Sequence, residues 1–232
     1  MSVGRMEGTD VKIWPVPRPE IIAHRGASRE APENSLAAFQ RAADLGADGV
    51  ELDVYLHPDG VLRVHHDPIA EDVLSEHASP DGLRAPAPPT LDEALTLLRD
   101  AGLTAYCELK GPHTAIPTLE LIRRAGGPAA VHAFDHRKIA EARGHAPEVP
   151  RGVLEVSYPI HPLQALSAVE GRDLWRQWPF VDAALVQAAH AAGCRVVAWT
   201  VNDPAVMRGF ADIGVDAICT DDPALAIQVL GP

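Results

Sequence analysis

Apolar positions along this chain follow two alternating periods. Ala- and Leu-rich stretches carry them at helical spacing, and short β-branched runs ending in polar residues follow. Residues 33–46 run into 47–54 in this way, 90–102 into 103–110, 180–193 into 194–203, and 203–214 into 215–221. Within 90–102, Leu91, Ala94, Leu95 and Leu98 stand at i, i+3, i+4 and i+7, which makes one buried helical stripe. Gly46, Gly102, Gly193 and Gly214 end the predicted helices, where a left-handed residue is wanted. Strands are predicted near 20–23, 49–54, 61–65, 104–109, 129–133, 151–155, 195–200 and 216–219, with a weaker pattern near 172–176. The strand at 61–65 follows Pro58-Asp59-Gly60 and is expected to pair back on its predecessor. Residues 46–53 and 214–221 repeat one pattern.

Such alternation of helix and strand predicts a parallel sheet with crossover helices. An open doubly wound sheet and a closed barrel share this periodicity. The length of 232 residues and the number of units favour the barrel. The expectation is therefore an α/β chain: a loosely ordered arm over 1–18, then a single TIM-type (β/α)8 barrel over 19–232. The Pro-rich stretch 68–89 reads as a long surface loop at the barrel mouth.

Composition narrows the function. Lys and Arg number 20 against 32 Asp and Glu, a net charge of −12. A polyanion would meet a like-charged surface, so nucleic acid is not an expected partner. A small anionic substrate is still compatible, because a cation and a few basic side chains reverse the sign inside one cleft. No apolar run reaches the ~18 residues a membrane span needs. The first twenty residues lack an apolar core and carry several charges, so they do not read as a secretory signal, and a cytoplasmic location is expected. Cys107, Cys194 and Cys219 have no metal-binding spacing and read as reduced, partly buried thiols.

The chemistry gathers at strand ends. In a parallel barrel the C-terminal ends of the strands converge on one face. Here they end in His24-Arg25, Glu51-Leu52-Asp53, His65-His66-Asp67, Glu108-Leu109-Lys110 and Trp199-Thr200-Val201-Asn202. Glu51 and Asp53 share one strand face, as do Glu108 and Lys110. Carboxylates gathered without compensation repel one another, and a divalent cation removes that repulsion. An all-oxygen donor set suits Mg²⁺ or Ca²⁺. His24 and His66 could divide acid and base duties, and Arg25 and Lys110 add fixed positive charge. Together these groups point to attack on a phosphate ester.

The segments 24–39 (HRGASREAPENSLAAF), 46–54 (GADGVELDV), 65–68 (HHDP), 107–110 (CELK), 198–203 (AWTVND) and 214–223 (GVDAICTDDP) resemble, in order, the signatures of glycerophosphodiester phosphodiesterases. The resemblance implies a metal-dependent hydrolase on a TIM-type barrel, cleaving a small-molecule glycerophosphodiester to sn-glycerol 3-phosphate and an alcohol. It implies Glu51, Asp53 and Glu108 as metal ligands and His24 and His66 as the acid/base pair. Arg25 and Lys110 would hold the phosphate, and Phe134 and Trp199 would wall the pocket. Glu33 and Asn34 are expected to brace the first loop and cap the following helix.

The chain departs from the family pattern after Pro68, at Ala133-Phe134 and at Leu56-His57-Pro58, all where the alcohol would be selected. His57 and His65 are read as non-catalytic. One alternative keeps the site but takes lysophospholipids, as a lysophospholipase D does. The 68–89 loop offers few large apolar residues for an acyl chain (Ile69, Val73, Leu74, Leu83), which favours a water-soluble diester. Another alternative, of a different class, is a non-catalytic barrel that binds phosphate ligands.

Overall fold

The computed structural model describes residues 18–67 and 87–231. Most of the expected loop over 68–89, and the expected arm apart from Arg18, lie outside the described residues.

In chain order the elements are β1 (Glu20–His24), α1 (Leu36–Leu45), β2 (Gly49–Leu56), β3 (Leu62–Val64), α2 (Leu91–Asp100), β4 (Thr104–Leu109), α3 (Ala115–Ala125), β5 (Ala129–Ala133), α4 (His136–His145), β6 (Arg151–Glu155), α5 (Gln164–Ala168), β7 (Asp173–Gln177), α6 (Ala183–Ala191), β8 (Arg195–Trp199), α7 (Pro204–Asp212), β9 (Ala217–Thr220) and α8 (Pro223–Leu230). The strands order as β1-β9-β8-β7-β6-β5-β4-β2, and β1 also pairs with β2 in parallel. That last pairing closes the sheet, so the fold is a barrel of eight parallel strands ringed by helices, as expected. The short β3 pairs antiparallel with the end of β2, which is the predicted hairpin.

Local sequence explains the elements. Thr90 and Glu93 form a reciprocal capping box at the start of α2, and Leu91, Ala94, Leu95 and Leu98 are its buried stripe. Each such leucine, once buried, contributes about 1.5–3 kcal/mol. Strand β7 had only a weak pattern because Asp173 and Arg176 interrupt its apolar run. Both are buried and ion-paired, Asp173 with Arg172 at 2.6 Å and Arg176 with Glu155.

Ile22, Tyr106, Ala130, Leu154, Trp175, Val197, Ala217 and Cys219 fill the barrel interior. Below them Tyr106 donates its hydroxyl proton to Glu20 at 2.6 Å, and Arg195 pairs with Glu20. This charged floor blocks the N-terminal end. Among the described residues, no helix is long and apolar enough to cross a membrane.

Gly152 on β6 makes room for the interior. A Cβ there would lie 2.5 Å from the Asp173 carbonyl oxygen and 2.9 Å from the Trp175 ring. Backbone cannot retreat as a flexible side chain does. Gly152→Ala is therefore expected to destabilise the fold by about 1–3 kcal/mol. Urea unfolding should record this as a lower midpoint at unchanged slope.

Candidate active site

The strand registers bring distant residues to one level. His24 on β1 sits beside Glu51 on β2. Asp53 on β2 sits beside Glu108 on β4, and Glu108 beside His132 on β5. Residues in register on parallel strands point the same way, here into the mouth of the barrel. His24, Arg25, Glu51, His66, Glu108, Lys110, His132, Phe134 and Trp199 all line one cavity of about 240 Å³. Every residue expected at the site lines this cavity except Asp53, which lies just behind it.

The electrostatics divide the three carboxylates. Asp53 is fully engaged. Asn34 Nδ2 donates to its Oδ2 at 2.8 Å, Lys110 Nζ lies 3.1 Å from Oδ1, and Arg25 Nε lies 3.2 Å from Oδ2. Burial works to raise its carboxyl, but Lys110, Asn34 and Arg25 outweigh burial and hold it below its ordinary value. Glu108 shares Lys110 at 2.7 Å, yet burial prevails and its carboxyl titrates above the usual range. Glu51 accepts one backbone N–H, from Arg25 at 3.2 Å. Among the described residues no lysine or arginine side chain pairs with it. Burial first, then Asp53 and Glu108, push its carboxyl well above its ordinary value. Three acids thus face two bases, and the missing positive charge is missing at Glu51.

That imbalance is what a divalent cation would correct. Glu51, Glu108 and His132 are all buried, and one ligand atom from each lies within 4.8 Å of the others. The donor chemistry fits a cation. Asp53 stands beside this group, its carboxylate shared with Lys110 and Arg25.

Both histidines are oriented by carboxylates. His24 Nδ1 lies 2.6 Å from Asp221 Oδ1 and His66 Nδ1 lies 2.8 Å from Asp67 Oδ1. A carboxylate accepts, so each Nδ1 carries the proton, and each Nε2 is left as the nitrogen that can exchange one. Asn202 Nδ2 donates to the other Asp221 oxygen at 2.6 Å. Burial raises the Asp221 carboxyl, but the bonds from His24 and Asn202 outweigh it and hold it below its ordinary value. Asp221 therefore stays ionised and anchors the ring.

Sequence reasoning missed Asp221, Asn202 and His132 as members of the site. For Asp221 and Asn202 a signal existed, since both sit in the quoted motifs at strand ends. For His132 it was faint: one polar residue inside the run 129–133. The Asn34 expectation is corrected. Ser35 caps α1, accepting the Ala38 N–H at 3.1 Å, while Asn34 turns to Asp53. Glu33 does brace the loop, through Arg25 at 2.9 Å. His57 and His65 contact each other at 2.7 Å, and neither lines the cavity. Phe134 and Trp199 meet edge to face at 5.6 Å, and the Trp199 indole N–H is buried without a hydrogen-bond partner among the described residues.

A larger cavity of about 500 Å³ opens at the opposite end of the barrel. Its arginines are already matched: Arg123 with Glu148 at 2.6 Å, Arg172 with Asp173, and Arg195 with Glu20. Nothing there offers uncompensated charge, which leaves the C-terminal mouth as the place for chemistry.

The chain is similar to known proteins in both sequence and fold. The sequence profile of the glycerophosphoryl diester phosphodiesterase family matches residues 24–79 and 73–225. A glycerophosphodiester phosphodiesterase of Caldanaerobacter subterraneus subsp. tengcongensis is 30% identical over 235 residues, covering 90% of this chain and 97% of the relative. The structure of an Oleispira antarctica phosphodiesterase in complex with the product sn-glycerol-3-phosphate superposes with a TM-score of 0.82 at 26% identity, over 93% of this chain and 98% of that one. A glycerophosphodiester phosphodiesterase of Agrobacterium tumefaciens gives 0.75 at 28% identity, over 90% and 99%. Matched along nearly its whole barrel, this chain belongs to the glycerophosphoryl diester phosphodiesterase family and is a phosphoric diester hydrolase.

Proposed function

We propose that this protein hydrolyses glycerophosphodiesters to sn-glycerol 3-phosphate and an alcohol, with a divalent cation and with His24 and His66 as the acid/base pair. One observation carries the reading. Two histidines, each tied through Nδ1 to a carboxylate, line one cavity together with a charge-deficient carboxylate cluster. The product bound by the Oleispira relative supports the choice of substrate.

Glu51, Asp53 and Glu108 would hold the cation. Carboxylate donors make Mg²⁺ or Ca²⁺ the first choice. When bound, the cation supplies charge stabilisation to the phosphoryl oxygens. Arg25 and Lys110 bind the remaining phosphate charge. One histidine takes a proton through Nε2 from the attacking oxygen, either water or the substrate's neighbouring hydroxyl. The phosphorus–oxygen bond to the alcohol breaks, and the other histidine protonates the departing oxygen. Where the hydroxyl attacks, water then opens the resulting cyclic phosphate with the two histidines exchanging roles, which gives glycerol 3-phosphate. The unpartnered Trp199 N–H is a donor for a substrate hydroxyl, and Phe134 packs against its apolar edge.

A second reading has its own support. Phe134, Val156, Tyr158, Ile160 and Trp178 are exposed, and all follow the C-terminal ends of the adjacent strands β5, β6 and β7. Apolar groups at the mouth end of three adjacent strands suit a lysophospholipid chain better than the few apolar residues in the 68–89 sequence do. Metal-stripped protein should therefore be given glycerophosphocholine and lysophosphatidylcholine, with Mg²⁺ and Ca²⁺ in turn. Release of glycerol 3-phosphate from the first supports the main reading. Turnover of the second alone favours the lysolipid. Phosphate binding without any turnover would mark a non-catalytic barrel.

Asp221 should act as a positioning residue. Asp221→Asn keeps the shape but lets the amide donate to Nδ1, which favours the wrong tautomer of His24. A fall in kcat of about 10²-fold at little-changed KM is expected. The pH–rate profile should also shift, a change that a purely structural role would not produce.

A further inference from the structure

The cation site has a nitrogen donor that an all-oxygen description leaves out. His132 is 1% exposed, and its ring stacks on Trp175 at 4.0 Å between centroids and 9° between planes. The stack fixes the imidazole rigidly. Neither ring nitrogen makes a hydrogen bond among the described residues. Nδ1 is buried without a partner, and Nε2 lies 3.9 Å from Glu51 Oε1, beyond hydrogen-bond reach. A buried imidazole with an unmatched nitrogen is costly, and an imidazole facing a cavity with its other nitrogen free is open to a ligand. The carboxylate it faces is the one that pairs with no basic side chain. Asp53, in contrast, has Asn34, Lys110 and Arg25 beside it.

Distance allows a shared ion. Two donors each about 2.0–2.1 Å from a zinc-sized ion stand at most about 4.2 Å apart. The 3.9 Å between His132 Nε2 and Glu51 Oε1 falls inside that limit; Glu108 offers a third ligand atom within 4.8 Å of the others, so it need close by no more than about 0.6 Å to share the ion.

We infer that His132 is a further ligand of the active-site cation, adding a nitrogen to the carboxylate donors and with it affinity for borderline metals such as Co²⁺ or Zn²⁺. The inference rests on the cation reading of the site given above and sharpens it. Imidazole adds much to the binding of borderline ions and little to that of Mg²⁺ or Ca²⁺. His132 thereby becomes a determinant of metal choice.

The test is metal binding by the full chain, read without turnover. Apo protein is titrated with Co²⁺ and with Mg²⁺ by calorimetry, and the Co²⁺ complex is followed by visible absorption. His132→Phe retains a ring to stack on Trp175, and His132→Asn is a second variant of different shape. Both should lose about tenfold or more in Co²⁺ affinity, with a changed Co²⁺ spectrum. Mg²⁺ affinity should move by less than about threefold. Wild-type Co²⁺ affinity and spectrum in either folded variant would overturn the assignment, as would a wild-type protein that binds no Co²⁺. The two readings fail separately. Hydrolysis with Mg²⁺ beside Co²⁺ binding indifferent to His132 sinks only the ligand. Co²⁺ binding that depends on His132, without hydrolysis of any diester, sinks only the activity.

Discussion

Replacing His24 or His66 by alanine is expected to lower kcat on glycerophosphocholine by about 10³-fold each, within the 10²–10⁴ range of positioned acid/base groups. The two rings do different jobs in one reaction, so the loss of either one is enough to stall it. One proton must leave the attacking oxygen and another must reach the departing alcohol. Water replaces either ring badly, because neither its position nor its basicity is held. His24 hangs on Asp221 and His66 on Asp67, and neither bond carries the fold. Circular dichroism and the unfolding midpoint should therefore stay near wild type. The double variant should be little worse than the worse single variant, since groups that act as a unit are not additive. Single variants that kept wild-type rates would place the proton transfers on other groups.

Glu51→Gln has the second large effect. Glutamine keeps the size of the side chain and removes its charge. Cation affinity is expected to fall by at least about 10²-fold, and activity at ordinary cation concentrations with it. Calorimetric titration checks the first, and added excess cation should partly restore the second. Chelation of wild-type protein should abolish activity reversibly. The pH dependence follows from the carboxyl itself. Burial, then Asp53 and Glu108, raise the Glu51 carboxyl above its ordinary value. The cation-free folded protein then binds that proton more tightly than the unfolded chain does. Its stability declines as pH rises from the ordinary glutamate range through the raised value. A cation must displace the same proton, so its affinity climbs across that window. Melting temperatures with chelator and with Mg²⁺ should thus diverge as pH rises, and in Glu51→Gln they should not.

The fold was largely legible from periodicity, and particular elements show why. Helix α2 declared itself because its stripe of Leu91, Ala94, Leu95 and Leu98 repeats at the period of the element it builds. Strand β7 was faint because Arg176 and Asp173 break the apolar run, and each is buried beside a neutralising partner, Asp173 beside its neighbour Arg172 and Arg176 beside Glu155 on β6. An alternating pattern also says nothing about closure. The barrel exists because β1 pairs with β2 as well as with β9, a long-range contact that no local signal carries.

The same division runs through the site. Residue types at strand ends, and their i, i+2 spacing, placed His24, Glu51, Asp53, Glu108 and Lys110 on one rim before any coordinates, because side-chain direction along a strand is a local property. Which carboxylate keeps a basic partner was decided only in three dimensions. Lys110 and Arg25 reach Asp53 and leave Glu51 without one, and His132 turns inward against Trp175. Local spacing sets the direction in which a side chain leaves its strand. The company it meets there depends on strands that are distant in sequence, and charge is balanced by that company.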